Sequence, residues 1–163
     1  MKIHRNLVTP AKGVSFDEDL DYSSLDYARF PSLKGLPKVH AEGEFYRDDE
    51  DNLCVSLEVD GEATLSDSRT CELFAYPFSF EDDFALLQDP SEEAEGYLFP
   101  ENVVELSDVV FCAIHSHLPL CPKKEESALP SSGEGYSVLT EEEMDSLPSP
   151  SPFDALKDYD PEE

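Results

Sequence analysis

Residues 53–66, LCVSLEVDGEATLS, alternate apolar and polar side chains without a break. The apolar series begins at Leu53 and reaches Leu65, with a polar residue after each member. Alternation at a period of two residues is typical of an antiparallel strand with one buried and one solvated face. The small residues Gly61 and Ala63 predict a bend or close packing against a bulky neighbour. This strand decides the predicted fold class.

Two further segments show the same alternation. Residues 39–47, VHAEGEFYR, precede it, and the polar loop 48–52 joins the two as a hairpin of ordinary length. Residues 71–80, CELFAYPFSF, place four aromatic side chains on one face. Pro77 lacks an N–H donor, so we expect that strand at a sheet edge or with a bulge. Weaker strand patterns are found at 13–22 and 96–106.

Helix signals are fewer. Residues 23–31, SSLDYARFP, predict about two turns with Ser24 as N-cap and Pro31 as the stop. Residues 106–119, LSDVVFCAIHSHLP, predict a helix that ends at a proline. Its expected apolar stripe consists of Leu106, Val109, Cys112 and Ala113. Further helical signals are a capping box at Thr140–Glu143 and an apolar face within 151–163.

The predicted fold class is α+β and mainly antiparallel β. We expect a small curved sheet or partial barrel with a few short helices and acidic, partly disordered segments. A β-rich core domain with an N-terminal strand and a short helix is predicted for residues 1–120. Residues 121–163 are predicted to form an acidic, Pro/Ser/Glu-rich C-terminal extension with short helical segments.

The formal net charge of −27 is unevenly distributed. Residues 1–47 contain seven Lys or Arg and seven Asp or Glu, whereas residues 48–163 contain four and thirty-one. Such a surface repels phosphate backbones and attracts basic partners. The chain has no apolar run near the roughly 18 residues of a membrane span, and its first 13 residues lack the apolar core of a secretory signal. We therefore expect a cytoplasmic protein without a membrane partner.

The sequence offers no arrangement typical of catalysis. Its four cysteines have no C-x-x-C spacing, so we expect free thiols, and nearby carboxylates raise a thiol pKa. Cys112, His115, His117 and Cys121 are of zinc-ligand types, but helical spacing turns His117 away from His115. We predict no enzyme activity, no metal site, no cofactor and no small-molecule substrate.

Arg69 is the only Lys or Arg between Arg47 and Lys123. It follows the most regular strand and lies close in sequence to Asp67 and Glu72. One interpretation is a structural ion pair that closes the corner of the sheet. The other is a contact between its planar guanidinium and a phosphate or a partner's carboxylate.

Residues 16–45, FDEDLDYSSLDYARFPSLKGLPKVHAEGEF, resemble the opening of the YceD family of bacterial large-ribosomal-RNA accumulation proteins. That family has an F-D-E strand, a short helix and an I-x-P-V-x-V-x-G strand. Residues 65–72, LSDSRTCE, resemble its L-P-C-x-R-[CT]-L-E signature, with Arg69 on the arginine. Asp67 stands where many members have the first Cys, and Cys71 lies one place beyond the second. GEGYSVLTEEE at 133–143 and PFDALKDY at 152–159 resemble closing segments of Gram-positive-type members.

The resemblance implies a non-enzymatic role in the synthesis, processing or stability of 23S ribosomal RNA, and hence in 50S subunit formation. Only Cys121 remains of the cysteine-rich tail of some relatives, which implies a metal-free member. Combined with the charge, this predicts a basic ribosomal protein or assembly factor as partner, with an indirect link to 23S rRNA. The alternative is a direct RNA-binding module in which Arg69, Lys2, Arg5 and Lys38 converge. The candidate partner- or RNA-binding residues are Arg69, Asp67, Lys2, Arg5 and Lys38.

Overall fold

The computed structural model describes residues 1–89, 96–124, 133, 135 and 137–139. These residues contain seven strands, one α-helix and two single 3₁₀ turns. The strands are β1 (Lys2–His4), β2 (Val14–Leu20), β3 (Leu33–Arg47), β4 (Leu53–Ser66), β5 (Leu73–Leu87), β6 (Gly96–Leu98) and β7 (Val103–Glu105). The helix α1 spans Leu106–His117, and the 3₁₀ turns span Arg5–Leu7 and Tyr27–Arg29.

The main sheet has the strand order β2-β3-β4-β5-β6. Its first four strands are antiparallel neighbours, and β6 joins the edge of β5 in parallel. β1 and β7 form a separate antiparallel pair. The predicted class, mainly antiparallel β with little helix, is confirmed, and the sheet is open within the described residues. The helical signals at Thr140–Glu143 and 151–163 lie outside those residues.

The inner face of the sheet carries the core, as the alternation in β4 predicts. Val55, Val59 and Ala63 are fully buried, and so are Ala41 and Phe45 on β3. Each large aliphatic side chain buried in this way stabilises the fold by about 1.5–3 kcal/mol. Helix α1 contributes to the same core, although its stripe differs from the predicted one because Cys112 is only half-buried. The buried helix residues are Leu106, Val109, Val110, Ala113 and Ile114.

Gly61 sits in β4 beneath the ring of Phe78. A Cβ atom at this glycine would lie 2.7 Å from Phe78 Cζ and 2.5 Å from the carbonyl oxygen of Lys38. Both distances are far below van der Waals contact, so only glycine allows this approach. The expectation of close packing against a bulky neighbour is confirmed.

The predicted two-turn helix at 23–31 is wrong. The structure has one 3₁₀ turn, Tyr27–Arg29, and its N-cap is Asp26, whose side chain accepts a 3.0 Å hydrogen bond from Ala28 N. The chain must become extended by Leu33, which pairs with Leu65, and this leaves no room for a second turn. β3 therefore begins well before the predicted strand. Its pairing with β4 contains register shifts between Leu33 and Lys38.

Within the part of the chain that the structure describes, no strand covers most of the outer edge of β5. β5 pairs with β4 along its length without a register shift, whereas β6 covers its other side only at Ala85–Leu87. Pro77 therefore lies on an edge, which confirms one of its two predicted settings. Among the described residues, no helix is both long and apolar enough to cross a membrane.

Candidate partner-binding face

Four carboxylates lie side by side across the outer face of the sheet. Asp17 pairs with Glu42, Glu42 with Glu58, and Glu58 with Glu81. Directly paired residues of an antiparallel sheet point to the same face, with Cβ atoms about 4.5–5.5 Å apart. All four residues are exposed. The register of three strand pairs thus builds one continuous acidic row.

Neighbouring rows extend this charge. Asp19, His40 and Asp60 form the row on one side, and Glu44, Ser56 and Asp83 form the row on the other. Lys38, opposite Glu62, and His40 are cationic or titratable members of the same surface. We call this surface the acidic face. Its carboxylates are Asp17, Asp19, Glu42, Glu44, Glu58, Asp60, Glu62, Glu81 and Asp83.

The centre of the acidic face is a shallow depression of ≈ 410 Å³. Glu42, Glu58 and Glu81 line it, and Gly43 forms part of its floor. A Cβ atom at Gly43 would lie 2.2 Å from the carbonyl oxygen of Ser56, so the close approach of β3 to β4 at this point requires glycine. Three carboxylates line one shallow recess, which is an arrangement suited to a Lys or Arg side chain.

Like charges placed directly opposite each other destabilise a sheet. Glu58 has a carboxylate on each side, Glu42 and Glu81, and therefore carries this cost twice. We expect Glu58→Gln to raise the free energy of unfolding by about 0.5 kcal/mol at low salt. Urea titration at two salt concentrations checks this, because screening should shrink the gain. Glu101→Gln, outside the row, should leave stability unchanged. A loss of stability in Glu58→Gln would contradict the expectation.

His40 is held between two carboxylates of the acidic face. Its Nδ1 lies 2.9 Å from Asp19 Oδ1, and its Nε2 lies 3.6 Å from Asp17 Oδ1. The hydrogen bond to Asp19 raises the imidazole pKa above its ordinary value, and the charges of Asp19, Asp17 and Glu42 raise it further. The acidic face therefore gains a positive charge at its rim at a higher pH than an ordinary imidazole would give.

A raised folded-state pKa means that the proton favours the folded state. The stabilisation by His40 should be complete below the unfolded pKa of about 6.5 and lost as the pH rises through the folded value. An NMR titration should give a pKa above that of a free imidazole, and Asp19→Asn should bring it down. Glu101→Gln serves as the control and should leave the titration in place. An equal pKa in wild type and Asp19→Asn would exclude the hydrogen bond as the cause.

Asp67, a candidate site residue, is buried with 1% exposure. Its Oδ1 accepts hydrogen bonds from the backbone N of Arg69 at 2.7 Å and of Thr70 at 2.8 Å. Its Oδ2 accepts one from Lys124 N at 2.7 Å. The carboxylate therefore fixes the turn between β4 and β5 and ties it to residues 122–124. A direct contact with a partner would require this corner to open.

Arg69 lies at the exposed tip of that turn. The turn is closed by hydrogen bonds from Asp67 N to Glu72 O at 2.8 Å and from Cys71 N to Asp67 O at 2.9 Å. Cys71 adopts a left-handed conformation with φ of 60°, which reverses the chain before β5. The backbone of Arg69 thus belongs to the structural corner. Its role in binding stays a prediction.

Arg5, a second candidate, is also buried, with 6% exposure. Its guanidinium donates to three backbone carbonyls: Leu86 O at 2.8 Å, Phe99 O at 2.6 Å and Glu101 O at 3.0 Å. Neighbouring Arg47 donates to Arg5 O at 3.2 Å. Arg5 therefore joins the N-terminal segment to the end of β5 and the chain after β6. No sequence pattern marks it for this role, because its acceptors are more than 80 residues away.

The last two candidates are exposed in different places. Lys2 Nζ lies 2.5 Å from Glu105 Oε1 on the β1–β7 pair, and this hydrogen bond raises the pKa of Lys2. Lys38 lies on β3 beside a second depression of ≈ 600 Å³ that adjoins Pro77. The five predicted residues thus occupy four separate surroundings: the corner turn, the N-terminal pair, the buried guanidinium site and the rim of the acidic face.

The thiols of Cys54 on β4 and Cys112 on α1, and the two imidazoles of α1, pack against neighbouring side chains. Burial raises the pKa of both Cys54 and Cys112, and the charges of Asp48 and Asp108 respectively raise it further, in the direction expected from the sequence. His117 stacks on Phe80, with ring centroids 4.0 Å apart. Its Nε2 lies 3.1 Å from Asp82 Oδ2, whereas the His115 ring packs against Phe30.

No family model matches the chain, and neither a curated protein nor a solved structure matches it. The resemblance to the YceD family therefore stays a prediction from the quoted motifs.

Proposed function

We propose that this protein is a non-enzymatic factor in biogenesis of the large ribosomal subunit. It acts by binding a basic ribosomal protein or assembly factor on the acidic face, and it promotes 23S rRNA synthesis, processing or stability through that partner in the cytoplasm. The ribosomal part of the proposal comes from the motif resemblance. The acidic face supports the binding part.

The observation that carries the proposal is the row Asp17, Glu42, Glu58 and Glu81. Each pairing in it costs stability, because like charges face each other across three strand pairs. A basic partner removes this repulsion on binding, so the same carboxylates that weaken the free protein strengthen the complex. Electrostatic attraction also speeds the encounter with a cationic protein.

The alternative, direct RNA binding, requires exposed cations that lie together. Of the four predicted cations, Arg5 is buried and Lys2 is paired with Glu105. Lys38 borders the acidic face, where Asp60 and Glu62 repel a phosphate. Arg69 is exposed at the corner turn, apart from the other three. This distribution favours the protein partner over the RNA.

A pull-down from cell extract at moderate salt tests the proposal. Wild-type protein should recover ribosomal proteins or pre-50S particles. The triple variant Glu42→Gln, Glu58→Gln, Glu81→Gln should lose most of them while remaining folded. Crosslinking in cells followed by mass spectrometry and RNA sequencing then identifies whether protein or RNA is in direct contact.

The matched control changes the same number of charges elsewhere. Asp49→Asn, Glu50→Gln and Glu101→Gln neutralise three exposed carboxylates off the acidic face. Recovery should survive in this control. Equal losses in the two triple variants would show that only the overall charge matters. If the wild type recovered neither ribosomal proteins nor pre-50S particles, the proposal would be rejected.

A further inference from the structure

On the side away from β4, the described residues leave a long row of β5 backbone groups without a strand partner. β6 pairs with β5 only at Ala85–Leu87, so on that side the segment Leu73–Phe84 pairs with no strand among the described residues. At roughly 3.4 Å per residue, these twelve residues span about 40 Å. Long open edges are templates for pairing with another chain, and proteins usually blunt them. Pro77 is the one proline in this edge.

Three contacts show which backbone groups face outward. The carbonyl of Ala85 points at β6, where a Cβ on Gly96 would lie 2.0 Å from it. Leu87 O accepts a 2.7 Å hydrogen bond from Phe99 N, and Asp83 N donates to Asp82 Oδ1 rather than across the sheet. Strand geometry repeats every two residues, so the odd-numbered residues present their N–H and C=O groups at the edge. Ser79 therefore offers a donor there, and Pro77 does not.

The side chains beside this edge determine which sequence pattern an added strand must have. Glu81 and Asp83 point to the acidic face, since they pair with Glu58 and Ser56. The even-numbered side chains point to the inner face, where Phe78 and Phe80 are half-buried against the core and Asp82 Oδ2 lies 3.1 Å from His117 Nε2. A strand laid along β5 therefore meets carboxylates on one side and, on the other, aromatic rings followed by the Asp82–His117 pair. The matching sequence alternates Lys or Arg with apolar residues.

We propose that the β5 edge binds an extended basic segment of the partner by strand addition, in which backbone hydrogen bonds supply affinity and alternate side chains supply specificity. The inference rests on the proposed function, because it assigns the binding mode of the same basic partner. Charge complementarity selects this occupant over a second copy of the chain. Antiparallel pairing of two copies along this edge would join their acidic faces into one continuous surface in any register, and like charge disfavours that arrangement.

A labelled synthetic peptide that alternates lysine and valine tests this by fluorescence anisotropy at fixed salt. Ser79→Pro removes one outward N–H without touching the β4 ladder, and Ser79→Ala retains that N–H. We expect Ser79→Pro to weaken binding about tenfold, the value of one to two hydrogen bonds, and Ser79→Ala to bind like wild type. Circular dichroism and thermal melting confirm that both variants are folded.

Two further peptides complete the experiment. One is methylated at the backbone nitrogens of its lysine residues, and the other at the backbone nitrogens of its valine residues. Both peptides keep their charge. Successive N–H groups of a strand point to opposite sides, so only one of the two peptides loses the N–H donors that face β5. We expect that peptide to bind about tenfold more weakly than the other. Equal affinity for both, an unaffected Ser79→Pro, or no peptide binding would overturn strand addition. So would a Ser79-dependent dimer in sedimentation, which would assign the edge to a second copy.

The pull-down separates the two proposals. If the wild type and Ser79→Pro recover ribosomal proteins equally well, strand addition is rejected and the proposed function is retained. Failure of the wild type to recover them rejects the function, whatever the peptide does.

Discussion

Arg5→Ala is expected to lower the free energy of unfolding by about 4 kcal/mol. The guanidinium supplies donors to the carbonyls of Leu86, Phe99 and Glu101, and it is buried with them. Alanine leaves those acceptors in a site from which water is largely excluded, so most of their desolvation cost is no longer offset. Urea denaturation monitored by circular dichroism measures the change.

Arg5→Met separates the hydrogen bonds from the packing of the side chain. Methionine retains most of the apolar stem but none of the donors, so we expect nearly the same loss as with alanine. Lys12→Ala, an exposed change in the same N-terminal segment, should alter stability by less than about 0.5 kcal/mol. If Arg5→Met were as stable as wild type, the three carbonyl contacts would not be the source of stability.

Asp67→Ala is expected to lower the free energy of unfolding by about 3 kcal/mol. The carboxylate accepts hydrogen bonds from the backbone N–H groups of Arg69, Thr70 and Lys124. Its loss should loosen the β4–β5 turn and release the Lys124 amide, whereas the hydrogen bond from Ser68 N to Pro122 O does not involve this side chain. Denaturant titration gives the stability, and hydrogen exchange should show faster exchange at the three amides.

Asp67→Asn provides a graded comparison at the same position. Its amide oxygen can still accept from Arg69 N and Thr70 N, whereas the amide nitrogen in place of Oδ2 cannot accept from Lys124 N. We expect roughly half the loss of the alanine variant, with protection retained at residues 69 and 70 but lost at 124. Glu101→Gln, an exposed change outside this turn, is the control. Uniform loss of protection in Asp67→Asn would argue against separate roles for the two oxygens.

The regular parts of the sheet could be predicted from the sequence because one face is exposed to solvent, which makes apolar and polar residues alternate. β4 has the bounds of the alternating pattern, Leu53–Ser66. β5 runs on past the predicted segment to Leu87, where Phe84–Leu87 are all buried and the alternation disappears. β3 begins at Leu33 rather than at 39, because pairing with β4 holds the chain extended through Gly35 and Pro37. Tertiary contacts therefore set the ends that local patterns missed.

The acidic face could be predicted one strand at a time but not as a row. The outward positions of Glu42 and Glu58 follow from the alternation in their own strands. Their alignment with Asp17 and Glu81 depends on the registers of three strand pairs, which turns and bulges determine. The burial of Arg5 and Asp67 could not be predicted for a similar reason. Their hydrogen-bond partners are distant in sequence or are backbone atoms, and the types of the neighbouring residues do not indicate such partners.

The pairing of Ile3 with Val104 has a consequence for the timing of folding during synthesis. About a hundred residues must be translated between these two, which takes roughly 5–20 s at 5–20 residues per second. The β3–β4 hairpin, whose contacts are local, can form long before then. For that period the central hairpin of the nascent chain can be folded while β1 is still unpaired. Chaperones would therefore encounter this partly folded state.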